Sequence, residues 1–146
     1  MGLGGGSIIQ TLRKNFNYKN NITAIELDKV IVAIAKNEFK ITNTKNTSII
    51  CKDAIEFLKT NTQKFDFIII DLFIDNKVPQ QFLESHFWKL IINKNPKSIL
   101  FNASLNLNNN TQLKIIKKQL KKNTFKVTLY DKVEKTNTLL IAKSYI

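Results

Sequence analysis

Two kinds of apolar pattern alternate along this chain. Short runs rich in β-branched residues are typical of buried strands, whereas apolar residues at a helical spacing are typical of helices that bury one side. The first pattern predicts strands over residues 22–27, 48–51, 65–70, 98–103, 125–130 and 138–143. The second pattern predicts helices over residues 28–39, 53–60, 79–93 and 111–122.

This order of elements predicts an α/β fold. Repeated strand–helix units indicate a three-layer sandwich with a mostly parallel, Rossmann-like sheet, right-handed crossovers and helices on both faces. The last two predicted strands leave no room for a helix between them, so they are expected to form an antiparallel hairpin. The run 65–70 is apolar throughout, which predicts a central strand buried on both faces.

No linker or break in composition divides the sequence. The polar stretch 106–110 is predicted to be a short loop rather than a boundary, so residues 1–146 are expected to form a single domain. Of the 146 residues, 43% are hydrophobic and 23% are charged, which are globular proportions.

The net charge of +12 raises the question of a nucleic-acid partner. Arg13 is the only arginine among the 23 basic residues. Proteins that bind nucleic acid favour arginine, because its guanidinium donates two hydrogen bonds at once to a base or a phosphate. Nucleic acid is therefore not expected as the main partner.

The length of the apolar runs and the cysteine and histidine counts indicate the cellular location that we expect for the protein. No apolar run approaches the ~20 residues of a membrane helix, so no membrane association is expected. With a single cysteine and a single histidine, we expect no disulfide within the chain and no structural metal. A sequence with so little cysteine favours a cytoplasmic location.

A glycine-rich segment stands at the start of the chain, with Gly2, Gly4 and Gly6 just before a helical pattern. Such a loop lets the backbone approach a ligand closely and directs N–H groups towards it, although a flexible terminus would have the same composition. Glu26 closes the next predicted strand, where a carboxylate is placed to accept hydrogen bonds from ribose hydroxyls. Together these residues indicate a nucleoside-containing ligand.

Two aspartates follow later strands. Asp53 comes after the strand 48–51, where it would cap the next helix, accept a hydrogen bond from an adenine amino group, or do both. Asp71 ends the run 65–70, and an acidic residue at the tip of a parallel strand faces the ligand crevice. Its carboxylate is therefore a candidate to orient or deprotonate a nucleophile.

The order of these motifs resembles the class I S-adenosylmethionine-dependent methyltransferase fold, and more narrowly its spermidine synthase branch. The segments that carry the resemblance are 2–6, 26–28, 53–58 and 65–87. The resemblance implies S-adenosylmethionine or its decarboxylated form as co-substrate, no metal, and a small acceptor such as a polyamine. It implies that Asp71 deprotonates the attacking amine, and that the nucleoside is bound by Gly2, Gly4, Gly6, Glu26, Asp53 and Ala54.

The chain departs from that pattern in several places. Polyamine-making members usually carry Asp-Ser-Ser-Asp where residues 71–75 read Asp-Leu-Phe-Ile-Asp, and an aspartate of their glycine loop is replaced at Gly6-Ser7. Their N-terminal β-rich domain and the strand that enters the glycine loop are not found in this sequence. That first strand is expected between the strands 22–27 and 65–70, so the chain is expected to be marginally stable or to pair with a second copy as a homodimer.

We therefore expect a spermidine synthase-like transferase domain that moves an aminopropyl or methyl group to a small acceptor. An NAD-binding oxidoreductase domain is the first alternative, although its fingerprint needs glycine where Ser7 stands. A catalytically inactive fragment that acts as a binding module is the second.

Overall fold

A computed structural model describes residues 1–104, 111–135 and 137–145, so the predicted loop 106–110 lies outside the described residues. The described residues fall into two compact units, Met1–Phe57 and Leu58–Ile146. Helices and strands alternate through both units. In chain order they are α1 (Ser7–Lys14), β1 (Ile22–Glu26), α2 (Lys29–Asn37), β2 (Thr47–Cys51), α3 (Ala54–Thr60), β3 (Phe67–Ile70), a 3-10 helix (Gln80–Phe82), α4 (Ser85–Ile92), β4 (Ser98–Asn102), α5 (Thr111–Lys122), β5 (Phe125–Val133) and β6 (Asn137–Ser144).

The first unit is built on one parallel strand pair. The strands β1 and β2 run side by side in the register that places Glu26 opposite Cys51, so both carboxyl ends lie at the same edge. The helix α2 begins after Asp28, whose carboxylate accepts a hydrogen bond from the Val30 amide at 2.7 Å. That bond caps the helix. Apolar side chains from α1, α2, β1 and two loops meet in a small core that consists of Leu3, Ile9, Ala24, Val32, Ala35 and Ile41.

The only arginine of the sequence joins two loops of this unit. The guanidinium of Arg13 donates to the carbonyl oxygens of Tyr18, Asn20 and Asn46 at 2.5, 2.8 and 2.6 Å, and to the Thr47 hydroxyl at 3.0 Å. A planar fork with five donors satisfies such a set of acceptors, which a lysine ammonium does not. Arg13 therefore joins the loop before β1 to the loop before β2.

The second unit contains a four-stranded mixed sheet in the order β3-β4-β6-β5. The strands β3 and β4 are parallel, whereas β6 is antiparallel to both of its neighbours. The predicted C-terminal hairpin is confirmed, since β5 and β6 pair from Phe125 opposite Ser144 onwards. Together with the parallel pair of the first unit, this sheet confirms the α/β fold class.

One face of this sheet carries the core of the second unit. The ring of Trp88 in α4 packs edge-on against the ring of Phe101 in β4, with 5.2 Å between the two ring centroids. The indole N–H of Trp88 donates a hydrogen bond to the Phe82 carbonyl oxygen at 3.0 Å. The indole is therefore both buried and satisfied. The fully buried residues around it are Phe87, Ile91, Ile99, Leu113, Ile116, Leu120, Leu140 and Ala142.

Two of the predicted elements differ from the structure. The helix expected over 79–93 is interrupted, because Glu84 is extended (ψ 146°) between the 3-10 helix and α4. The strand expected over 65–70 begins at Phe67 and stands at the end of its sheet's strand order. The prediction that this strand is buried on both faces is wrong for Phe67, whose side chain is 45% exposed.

The described helices are all short, and the longest, α5, has 12 residues and ends in lysines. A membrane span requires ~20 predominantly apolar residues. None of the helices in residues 1–104, 111–135 and 137–145 is long and apolar enough to cross a membrane.

We predict that Arg13→Lys lowers the free energy of unfolding by about 1–3 kcal/mol, because the backbone acceptors on two loops lose their shared donor. Urea denaturation followed by circular dichroism measures this loss. Lys14→Ala, at the exposed neighbouring position, is the matched control. A surface substitution of this kind should change stability by less than about 0.5 kcal/mol. Equal stability of Arg13→Lys and the wild type would contradict the conclusion that the Arg13 guanidinium holds these loops together.

Candidate functional site

The glycine segment forms a tight loop that leads into α1. Gly2, Gly4 and Gly6 have φ angles of 82°, 50° and 79°. These angles lie in the left-handed region that favours glycine. The Gly6 amide donates to the Leu3 carbonyl at 2.9 Å and closes the turn. The glycine segment therefore has a defined conformation in the structure, which differs from the flexible terminus that was the alternative.

Glu26 fastens this loop to the carboxyl end of β1. Its Oε2 accepts hydrogen bonds from the Leu3 amide at 2.9 Å and the Gly4 amide at 3.4 Å. Its Oε1 accepts from the Asp28 amide at 3.1 Å, and the Gly2 amide donates to the Ile25 carbonyl at 2.9 Å. A half-buried carboxylate is thus held between the glycine loop and the start of α2 by charge-assisted hydrogen bonds.

The glycines of the loop differ in what surrounds them. A Cβ added at Gly6 would lie 2.5 Å from Cγ1 of Ile41, so glycine is required there for close packing as well as for its φ angle. A Cβ added at Gly4 would meet nothing within 4 Å. The loop therefore leaves room beside Gly4 and is tightly packed at Gly6.

Asp53 follows β2 at the same edge of the strand pair as Glu26. Its Oδ1 accepts hydrogen bonds from the amides of Ile55 and Glu56, each at 2.9 Å, so it is the N-cap of α3. Ala54 is buried at the first position of that helix. Of the two roles expected for Asp53, the structure shows the capping role, and the contact with an adenine stays a prediction.

Asp71 follows β3 in the second unit, and the structure shows a partner that the sequence patterns did not identify. Nδ2 of Asn102, at the end of β4, donates to Oδ1 of Asp71 at 3.0 Å. The Asn102 Oδ1 accepts from the Ser104 amide at 3.3 Å, which orients the side-chain amide. The pair forms because parallel strands bring their carboxyl ends together. The feature of the sequence that could have identified Asn102 is that a polar residue ends the apolar run 98–102.

The described residues contain no group of three or more histidine, cysteine, aspartate or glutamate side chains that could hold a metal ion. The carboxylates of the site instead accept hydrogen bonds from nearby amide groups. Oδ1 of Asp53 and Oε1 and Oε2 of Glu26 accept from backbone amides, and Oδ1 of Asp71 accepts from the Asn102 side chain.

An α/β fold with a parallel strand pair and a mixed sheet that ends in an antiparallel hairpin is similar to the fold of Rossmann-like methyltransferases and spermidine synthases. Comparison with solved structures agrees with this fold. Human methyltransferase-like protein 13, in complex with SAH, superposes with a TM-score of 0.77 at 19% identity, covering 99% of this chain and 69% of that one. A probable spermidine synthase from Corynebacterium glutamicum superposes with a TM-score of 0.77 at 20% identity, covering 98% of this chain and 54% of that one.

The sequence itself identifies the family. Residues 3–136 match the spermine/spermidine synthase domain, so the chain belongs to the spermine/spermidine synthase family. A polyamine aminopropyltransferase of Vibrio vulnificus is 30% identical over 90 residues, which make up 60% of this chain and 30% of the relative. The aligned region thus spans less than a third of that relative's length.

We predict that Gly6→Ala destabilises the protein more than Gly4→Ala does. Both substitutions place an alanine at a positive φ, and the left-handed conformation costs an alanine about 1–2 kcal/mol. Only Gly6→Ala also forces a methyl group against Ile41, and such overpacking adds about 1–3 kcal/mol. Thermal and urea unfolding of the two variants measure the difference, and equal losses would show that the packing at Gly6 is not what requires glycine.

Proposed function

We propose that this chain is a sulfonium-nucleoside-dependent transferase domain that moves an aminopropyl group from decarboxylated S-adenosylmethionine to a small polyamine acceptor. The observation that carries the proposal is the glycine loop held by Glu26 at the end of β1. Membership of the spermine/spermidine synthase family and the Vibrio vulnificus relative support the choice of aminopropyl transfer.

The residues of the first unit fit a nucleoside. Glu26 is a charged acceptor already directed at the loop amides, and ribose hydroxyls are neutral donors that pair well with such a carboxylate. The open space beside Gly4 leaves the loop backbone accessible to a ligand. Gly2, Gly4 and Gly6 would border the nucleoside, Glu26 would bind its ribose, and Asp53 with Ala54 would contact the adenine.

In the second unit, Asp71 is proposed to act on the acceptor. When bound, the sulfonium nucleoside supplies an electrophilic carbon with a neutral thioether as leaving group. An amine attacks well only as the neutral base, so a carboxylate that accepts an N–H proton of the acceptor assists the attack. The hydrogen bond from Asn102 occupies Oδ1 of Asp71 and keeps the side chain oriented, with Oδ2 as the proton acceptor.

Methyl transfer from S-adenosylmethionine is the second candidate for the same site. The segment 71–75 reads Asp-Leu-Phe-Ile-Asp, without the adjacent serines and second aspartate of polyamine-making members. The TM-score with human methyltransferase-like protein 13 equals that with the Corynebacterium glutamicum protein.

We predict that the chain binds decarboxylated S-adenosylmethionine, S-adenosylmethionine or methylthioadenosine, and that Glu26→Gln weakens this binding about 10- to 100-fold, because a charged acceptor of hydrogen bonds is lost. Titration calorimetry on variants with wild-type circular dichroism measures the effect. Glu38→Gln, at the exposed C-cap of α2, is the matched control and should leave the affinity unchanged. Tighter binding of NAD than of all three sulfur nucleosides would instead favour the oxidoreductase alternative.

We predict that Asp71→Asn lowers the turnover of decarboxylated S-adenosylmethionine and putrescine about 10²- to 10⁴-fold, the usual contribution of a general base. Mass spectrometry of the amine product measures the rate. Asp75→Asn, at the exposed turn of the same segment, is the control and should keep most of the activity. Nucleoside binding without turnover of any amine or methyl acceptor would favour the inactive binding module.

A further inference from the structure

A cavity lies at the amino ends of β3 and β4, at the edge of the second unit's sheet opposite to Asp71 and Asn102. Its volume is about 570 Å³, which is within the ~300–1,000 Å³ of small-molecule sites. Among the described residues, all that line it belong to the second unit. The strand β3 lies between Asp66 at the cavity and Asp71, a distance of about 17 Å along an extended chain. The cavity is therefore separate from the edge that carries Asp71.

One wall of the cavity is apolar and held in place by its surroundings. Phe65, Pro96 and Phe125 line it, and Pro96 and Phe125 are buried. The Lys97 amide donates to the Asp66 carbonyl at 2.9 Å, which joins the two segments that lead into β3 and β4. The cavity therefore offers a formed apolar surface against which the flat body of a ligand can pack.

The charged side chains that line the cavity are two lysines and one aspartate, Lys64, Lys97 and Asp66. The Lys97 Nζ lies 2.7 Å from Oδ1 of Asp66. The hydrogen bond and the opposite charge between them raise the pKa of Lys97 and lower the pKa of Asp66, so both groups stay charged. Within the part of the chain that the structure describes, Lys64 has no ion-pair partner and the side-chain amide of Asn95 makes no hydrogen bond. Both of these donors line the cavity.

The helix ends beside the cavity do not supply a compensating negative charge. The helices α4 and α5 end there, and the last carbonyl groups of a helix carry partial negative charge. The Ile92 carbonyl accepts from the Asn95 amide at 2.9 Å, and the Lys121 carbonyl accepts from the Thr124 amide at 3.2 Å. Because these carbonyl oxygens already have donors, the unbalanced charge at the cavity is the ammonium of Lys64.

We propose that this cavity binds a small carboxylate ligand with a flat apolar body. The carboxylate accepts charge-assisted hydrogen bonds from the Lys64 ammonium and the Asn95 amide, which lack protein acceptors. The apolar body packs on the wall that Phe65 and Phe125 form. The site is independent of the proposed transfer reaction, because none of its residues lies at the carboxyl ends of the strands.

Two other classes of ligand fit the cavity less well. A polyamine would be repelled by Lys64 and would have to displace Lys97 from Asp66 to find a carboxylate. A phosphate dianion would bring more negative charge than the one unpaired ammonium balances. A single carboxylate matches that ammonium and leaves the ion pair between Lys97 and Asp66 intact.

Two probes of equal shape, naphthalene-2-carboxylate and the neutral naphthalene-2-carboxamide, test the proposal. Each is titrated into the isotope-labelled full chain, and two-dimensional NMR follows the backbone amides. The carboxylate should shift the amides that surround the cavity, such as those of Asn95, Lys97 and Phe125. It should bind about three- to fivefold more tightly than the carboxamide, since an exposed ion pair contributes a factor of this size.

Two variants with matched controls should move the affinity in opposite directions. Lys64→Gln should lower the affinity for the carboxylate to that for the carboxamide, whereas Lys114→Gln, an equal change of net charge at an exposed position of α5, should leave it unchanged. Asp66→Asn releases Lys97 and should tighten binding of the carboxylate about two- to fivefold. Asp131→Asn, at an exposed position of β5, is its control and should have no effect.

Several results would overturn the proposal. Equal affinity for the two probes, or equal losses in Lys64→Gln and Lys114→Gln, would mean that the cavity does not recognise the carboxylate. Amide shifts confined to the surroundings of Asp71 and Asn102 would place the ligand at the other edge of the sheet. The absence of binding at millimolar concentrations of the probes would show that the cavity is not a ligand site.

Discussion

The hydrogen bonds between Glu26 and the glycine loop are the interaction on which the candidate site depends. The Leu3 and Gly4 amides have no helical partners at the start of the chain, and the carboxylate at the end of β1 accepts from both. The same carboxylate accepts from Asp28, whose own side chain caps α2. One acidic residue therefore fixes the loop, the strand end and the next helix relative to one another, and the proposed nucleoside site would depend on this preorganisation.

A second constraint acts through the strand ends. In each unit two parallel strands end at one edge and present polar side chains there, Glu26 with Asp53 in the first and Asp71 with Asn102 in the second. Both arrangements follow from parallel pairing, because strands that run in the same direction end together. The proposed division of labour, with nucleoside binding in the first unit and proton acceptance in the second, rests on these two edges.

The second unit's sheet carries the core of that unit on one face. Its covered side is closed by aromatic and aliphatic packing around Trp88, which stabilises the unit.

The sequence by itself predicted most of the order of the elements and the fold class, because hydrophobic period and residue spacing report local structure directly. The resemblance of its motifs, including the glycine segment and Glu26, indicated the family. The sequence also placed an acidic residue at the end of the run 65–70. It did not determine that Asn102 holds Asp71 or that Arg13 joins two loops, whereas the capping of α3 by Asp53 was one of the roles expected from the sequence. The contacts of Asn102 and Arg13 depend on which side chains the pairing of distant strands and loops brings within hydrogen-bonding distance, and on how each donor is oriented. The exposure of Phe67 was likewise decided by tertiary structure, since an apolar run has the same pattern whether one or both of its faces are covered.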